Sequence, residues 1–118
     1  MFACGVYPVW PALSDSIQAE AKNNIRRLRH HPSIIIWAGN NEDYQVQEQC
    51  HLDYNYDDKN PESWLKSNFP ARYYYEHLLP SIMEKETPGT QYWPGSPFSN
   101  GKSSDDLNIG DVHQWNGK

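Results

Sequence analysis

The sequence predicts an α/β fold built from alternating strands and helices, and three observations carry that reading. The run Ser33-Ile34-Ile35-Ile36-Trp37-Ala38 is short, apolar and β-branched, and Pro32 and Gly39 bound it. Such a run reads as a parallel strand buried on both faces. Directly before it, Leu13, Ile17, Ala21, Ile25 and Leu28 recur at helical spacing, and the connection to the strand is short, as α/β units prefer. The remaining elements continue the alternation, giving the order strand, helix, strand, helix, strand, strand.

Each element has its own signals. Residues 1–6 read as the end of a strand, and Pro8 and Pro11 punctuate the loop after it. Asp15 with Gln18 three residues on has the form of a capping box at a helix start. Arg26, Arg27 and Arg29 crowd the last turn of that helix, where cations suit its dipole, and they read as solvated charges. Residues 42–69 are polar, rich in Asp, Asn and Tyr, and show no sustained period. They read as one long loop, with Tyr54 and Trp64 as rings that could line a pocket. A second helix is expected over 70–85, with Pro70 in its first turn and Tyr74, Leu78 and Ile82 on one face. Pro80 predicts a kink or break within it, and Thr87-Pro88-Gly89 ends it. Residues 91–93 read as a short strand closed by Pro94-Gly95-Ser96-Pro97, and 100–108 as a flexible loop. Residues 109–115 read as a last strand with Asp111, His113 and Trp115 on one face at period two.

The chemistry is expected where the apolar run stops. Asn40-Asn41-Glu42 follow Gly39 without a spacer. Polar groups at the carboxyl end of a parallel strand stand where α/β barrels place their reactive residues. Glu42 is therefore a candidate catalytic acid, with Asn41 beside it to orient a substrate. Asp43 reads as solvated. The chain has five Trp and eight Tyr, more flat aromatic surface than a small domain usually carries; such rings fill cores and stack on sugars.

Bulk properties exclude several classes. A net charge of −5 argues against nucleic-acid and acidic-membrane partners. No apolar stretch approaches the ~20 residues that a membrane helix needs. Cys4 and Cys50 read as free buried thiols rather than a disulfide, and neither the cysteines nor the five histidines form a metal-ligand spacing. No metal or cofactor is expected. The opening residues lack a basic region and a long apolar stretch, so they do not read as a signal peptide. The compartment stays open, with an intracellular setting the default.

His31-Pro32-Ser33-Ile34-Ile35-Ile36-Trp37 followed by Gly39-Asn40-Asn41-Glu42 resembles the acid/base segment of the β-mannosidases of glycoside hydrolase family two, most closely the fungal type. Phe2-Ala3-Cys4-Gly5 with Tyr7-Pro8 resembles the end of the preceding barrel strand. Arg26-Arg27-Leu28-Arg29-His30-His31-Pro32 resembles the approach to the acid/base strand. Tyr92-Trp93-Pro94-Gly95-Ser96-Pro97 resembles the next strand, and Gly110-Asp111-Val112-His113-Gln114-Trp115-Asn116 the one after. An Asn-Glu pair alone is weak evidence, whereas the ordered set is specific and covers nearly the whole chain.

The resemblance implies a partial (β/α)8 TIM barrel, with three to four parallel strands and two connecting helices. A whole barrel needs about 250 residues, so residues 1–118 would be a central fragment of the catalytic domain. It implies retaining hydrolysis of terminal β-D-mannose from β-mannoside oligosaccharides without a metal, with Glu42 as acid/base and Asn41 holding the sugar 2-hydroxyl. Trp37, Trp93, Ser96, His113 and Trp115 would contribute to the sugar site. Relatives acting on β-galactosides or β-glucuronides match the segment around the Asn-Glu pair less well. The family's nucleophilic Glu lies on a strand beyond the 111–115 region, and no Glu here matches it, so the rest of the barrel is expected to be needed for a complete site. The alternative is a catalytically inactive product that acts as a carbohydrate-binding or interaction remnant.

Overall fold

The computed structural model describes residues 2–113. Helix α1 covers Pro11–Leu28, strand β1 Ile36–Asn41, helix α2 Asp43–Gln49 and the short helix α3 Pro61–Trp64. A π-helical turn over Tyr74–Leu78 runs into α4, Leu79–Glu86, and strand β2 spans Gln91–Ser96. The two strands are parallel, in register from Ile36 opposite Gln91 to Asn41 opposite Ser96. On the other side of β1, Phe2 forms a one-residue parallel bridge. Its N–H donates to Gly39 O at 2.8 Å, and Asn41 N–H donates to its carbonyl at 2.9 Å. Three chain segments thus run side by side, and the α/β class read from the sequence holds.

Several expectations need correction. The α1 start lies four residues before Asp15: Pro11 occupies the first turn, Trp10 precedes it, and no side chain caps it. Proline's fixed φ and missing N–H suit that position. Ile17 and Ile25 carry the buried face. Arg26 and Arg29 are not merely solvated. The Arg26 guanidinium forks onto Glu86, with Nε to Oε2 at 2.8 Å and Nη2 to Oε1 at 2.7 Å. Arg29 Nη1 lies 3.5 Å from Glu86 Oε2, so the end of α1 is tied to the end of α4. The Glu86 carboxyl is held below its ordinary range, first by the hydrogen bond from Arg26.

β1 is neither fully buried nor finished at Gly39. Its first residue, Ile36, is 45% exposed, and Ile35 just before it is 79% exposed, because β2 and the Phe2 bridge cover only part of the strand's surroundings. The strand continues through Gly39 to Asn41, since Gly39 lies where a Cβ would stand 2.3 Å from Pro94 O and 2.5 Å from Tyr92 Oη. Likewise β2 runs through Pro94 and Gly95 to Ser96; an edge strand tolerates proline.

The segment after Glu42 is not one long loop. It opens with α2, and a buried arginine organises the rest. Arg72 pairs with Glu76 at 3.1 Å, donates to Asn55 O at 2.8 Å and Asp58 O at 3.0 Å, and stacks over the rings of Tyr54 and Trp64. Tyr54 and Trp64 therefore belong to this scaffold rather than to a sugar pocket. The break foreseen at Pro80 is real and takes the form of the π-turn. Pro80 can neither donate to Glu76 O nor tolerate it at helical distance. The ladder widens by one residue, and Leu79 N–H bonds Tyr74 O.

The main core gathers Ile17, Tyr44, Phe69, Ala71, Tyr74, Tyr75, Leu79 and Phe98. A second cluster of Ile25, Ile82 and Met83 packs against Trp37 and Tyr92. Residues 100–108 form turns pinned by Glu48, which accepts from Ser104 N at 2.7 Å and Ser104 Oγ at 2.8 Å; the expected flexible loop is anchored there. The expected strand over 109–115 is irregular through His113. Gly110 turns the chain at φ +74°, and a Cβ there would meet Phe98 O at 2.3 Å. The segment attaches to β2 through side chains instead of a backbone ladder. Residues 114–118, including Trp115, lie outside the described residues.

Candidate active site

The site is built at the carboxyl end of the sheet. Of the two amides after Gly39, Asn40 is structural. Fully buried, it donates from Nδ2 to Pro94 O at 2.9 Å and accepts from Asp43 N–H at 3.1 Å. It thereby ties β1 to β2 and starts α2. Asn41 is half-buried, and its side chain makes no hydrogen bond to the described residues, which leaves its amide available to a ligand.

Glu42 is the hinge between β1 and α2. Its N–H donates to Ser96 O at 2.9 Å and its carbonyl accepts from Val46 N–H at 3.0 Å. Its backbone is left-handed, φ 64° and ψ 3°. A residue other than glycine in that region costs about 1–3 kcal/mol and persists only where the surroundings impose it. The side chain is 16% exposed, and its Oε1 lies 2.8 Å from His113 Nδ1. His113 Nε2 is 2.9 Å from Ser96 Oγ and 3.5 Å from Asp111 Oδ2, and Ser96 Oγ donates to Asp111 Oδ2. Glu42, Ser96, Asp111 and His113 form one connected network, drawn from the end of β1, the end of β2 and the segment after Gly110.

Asp43 is not solvated. It has no exposed surface, accepts from Gly5 N–H at 2.8 Å and accepts the Tyr75 hydroxyl. Burial pushes its carboxyl above the usual range, against the two hydrogen bonds that favour the anion. The same burial, joined by the hydrogen bond and charge of Asp43, holds the Tyr75 hydroxyl far above its ordinary value. Asp43 thus locks the residue after Glu42 onto the scaffold. Cys4 is close to both acids: burial raises its thiol pKa first, then the charges of Asp43 and Glu42 add to it. Both cysteines are free, and both are exposed rather than buried.

The tryptophans divide. Trp93 lines a cleft of about 590 Å³ together with Ile36, Ala38, Ser96 and Asp111, a volume in the range of small-ligand sites. Its ring meets Phe98 edge-on at 5.4 Å. Trp37 instead packs against the Ile25, Ile82 and Met83 cluster, outside the network around Glu42. Among the described residues, no group of three or more His, Cys, Asp or Glu could hold a metal ion, and no helix is long and apolar enough to cross a membrane.

No protein-family model matches the chain. Individual relatives do. Beta-mannosidase B of Aspergillus niger is 65% identical over 116 residues, which is 98% of this chain and 14% of that protein. The chain aligns along nearly its whole length with one stretch of this fungal enzyme. Beta-mannosidase B of Emericella nidulans gives 64% and that of Aspergillus fumigatus 63%, each over the same share of both chains. In three dimensions the β-D-mannosidase of Dictyoglomus thermophilum superposes with a TM-score of 0.74 at 31% identity, over 98% of this chain and 13% of that one. The chain spans about a seventh of the length of the curated relatives it matches. The resemblance to fungal β-mannosidases read from the residues is borne out.

Proposed function

We propose that this chain carries the acid/base half of a β-mannosidase site within a partial (β/α)8 barrel. Its reaction is the retaining hydrolysis of terminal, non-reducing β-D-mannose in β-mannoside oligosaccharides. The observation that carries this reading is the position of Glu42. It follows a parallel strand directly, its backbone is held left-handed, and its carboxylate faces the Ser96–Asp111–His113 network beside a cleft lined by Trp93.

In this reading Glu42 protonates the leaving oxygen, then as a carboxylate takes a proton from the water that completes hydrolysis. Asn41 beside it bonds the sugar 2-hydroxyl, a contact that strengthens at the transition state. Trp93 flanks the sugar. Trp37 supports the strand from behind. The nucleophilic carboxylate comes from residues outside this chain, because a retaining enzyme needs its second carboxyl group about 5–5.5 Å from the acid across an open sugar site. Asp43 is buried against Tyr75, and the imidazole of His113 fills the space between Glu42 and Asp111.

The test is a chimera in which this chain replaces the matching stretch of the A. niger β-mannosidase B. Glu42→Gln in that chimera should slow cleavage of mannobiose by about 10²–10⁴-fold, the usual contribution of general acid catalysis. A dinitrophenyl β-mannoside, whose leaving group departs without protonation, should show a much smaller loss in its glycosylation step. Equal loss on both substrates would remove Glu42 from the acid role.

A further inference from the structure

We infer that His113 is the positioning residue of Glu42, clamped from behind by Ser96 and Asp111, and that the proton of the acid step is held at the His113–Glu42 contact. This rests on the reading of Glu42 as acid/base. It assigns His113 and Ser96 a role through the acid in place of direct sugar contact.

The argument is a hydrogen count. Ser96 has one hydroxyl hydrogen, and it is donated to Asp111 Oδ2. The 2.9 Å contact between Ser96 Oγ and His113 Nε2 therefore needs a hydrogen on Nε2. Asp111, at 3.5 Å from Nε2, favours that tautomer electrostatically. With Nε2 protonated, the 2.8 Å contact of Nδ1 with Glu42 Oε1 needs one more hydrogen, carried either by Nδ1 or by Glu42. A bare imidazole lone pair against a carboxylate oxygen at that distance would repel. The network thus holds one proton where the leaving-group step consumes one. Transfer to the leaving oxygen leaves Glu42 anionic, and the proton Glu42 then takes from the incoming water restores the pair. Among the described residues, Glu42 and Asp111 are the acidic groups paired with the ring, and the charges of Asp43 and Glu42 act on the Cys4 thiol.

The geometry is specific to the side chains. Glu42 is fixed in main chain by its bond to Ser96 O, and Ser96 also carries the hydroxyl that orients His113. One residue of β2 therefore sets both partners of the contact.

The experiment uses the A. niger chimera with His113→Ala, His113→Asn and Glu42→Gln, singly and with His113→Ala combined with Glu42→Gln. Asparagine can place its amide N–H where Nδ1 stands. His113→Ala should reduce kcat for mannobiose about tenfold more than for the dinitrophenyl substrate, a part of the usual acid-catalytic factor. His113→Asn should recover part of that difference. In the Glu42→Gln background, His113→Ala should change the ratio of the two rates no further, since a residue that acts through another has nothing left to act on. A loss from both His113→Ala and His113→Asn that is equal on the two substrates, or a double variant whose ratio is the product of the singles, would overturn the inference while leaving Glu42 as acid. No leaving-group difference in Glu42→Gln alone would overturn the parent reading and this one with it.

Discussion

The shell around Tyr44, Phe69 and Tyr75 and the sheet beside it are finished to different degrees. In the shell the largest rings have almost no exposed surface. The buried hydroxyls there are paired: Tyr44 and Tyr54 donate to Glu76 Oε1 at 3.0 and 3.1 Å, and Tyr75 donates to Asp43. The sheet exposes Ile36, with Ile35 just before it exposed as well, and among the described residues β2 is an edge. The two buried side-chain donors without a partner among the described residues, the indoles of Trp37 and Trp93, both stand on its strands. The shell closes on itself within this chain. The sheet stays open among the described residues, and in the proposed partial barrel further strands would cover it. The proposed site stands on the open part, and Asn40 and Asp43 tie it to the closed part.

The largest effect should come from completing the open side. The 118 residues alone are expected to self-associate through unpaired strand edges and to give no turnover of an aryl β-mannoside, whereas the chimera turns over. Positioning a proton donor does not replace a residue that forms the covalent glycosyl-enzyme. Turnover by the isolated chain after gel filtration as a monomer would erase the distinction between the two sides.

A smaller effect should come from the seam between them. Gly39→Ala puts a methyl group against the Pro94 carbonyl, a backbone atom of the neighbouring strand that cannot retreat without opening the ladder. We expect a loss of about 3 kcal/mol, the upper part of the usual cost of overpacking, read as a lowered urea midpoint at dilute protein. An unchanged midpoint would mean that β1 and β2 are not held together as described.

Tyr75→Phe tests the closed side at its link to the site. It removes one of the two donors to buried Asp43, at a cost of about 1–3 kcal/mol. The effect should depend on pH. The folded pKa of Asp43 is raised above its ordinary 3.8, so its contribution to stability is greatest below that value and falls as pH rises through the folded one. The Tyr75 hydroxyl bonds the anion and limits that fall. The deficit of Tyr75→Phe should therefore be larger at pH 7 than at pH 4, measured by urea unfolding at both. A deficit that shrinks toward pH 7 would contradict the sign.

Much of the closed side was legible because it rests on periodicity. The face of α1 and the break at Pro80 follow from spacing and from proline's missing donor. Helix α2 was not legible. Asp43-Tyr44-Gln45-Val46-Gln47-Glu48-Gln49 has no apolar period, and the helix forms because the Asn40 side chain receives Asp43 N–H and Asp43 is seized by Tyr75, 32 residues away. Burial of a charge by a distant partner leaves no mark in local sequence. The place of Asn41 and Glu42 at the strand end was readable from where the apolar run stops, and the roles proposed for them come from the family resemblance. His113 was placed with Asp111 by a period-two pattern that makes no strand through His113. What joins them is their shared partner Ser96, a tertiary fact with no spacing rule behind it.

The smallest expected effect sharpens the comparison most directly, because one substitution should behave differently in the two contexts. Ile36 is 45% exposed on β1 and lines the cleft with Trp93. In the isolated chain, Ile36→Ser should change stability by no more than about 0.5 kcal/mol, as surface substitutions do, while reducing self-association by removing apolar surface near an open edge. In the chimera the same position should be covered by the added barrel. Burying an isoleucine side chain contributes about 1.5–3 kcal/mol, so a polar replacement there should lower the thermal midpoint clearly. Sedimentation velocity on the isolated chain and thermal denaturation of the chimera read the two halves. A chimera indifferent to Ile36→Ser would mean that this face stays in water even in the larger protein, and that the open side described here is a surface rather than an interior waiting to be closed.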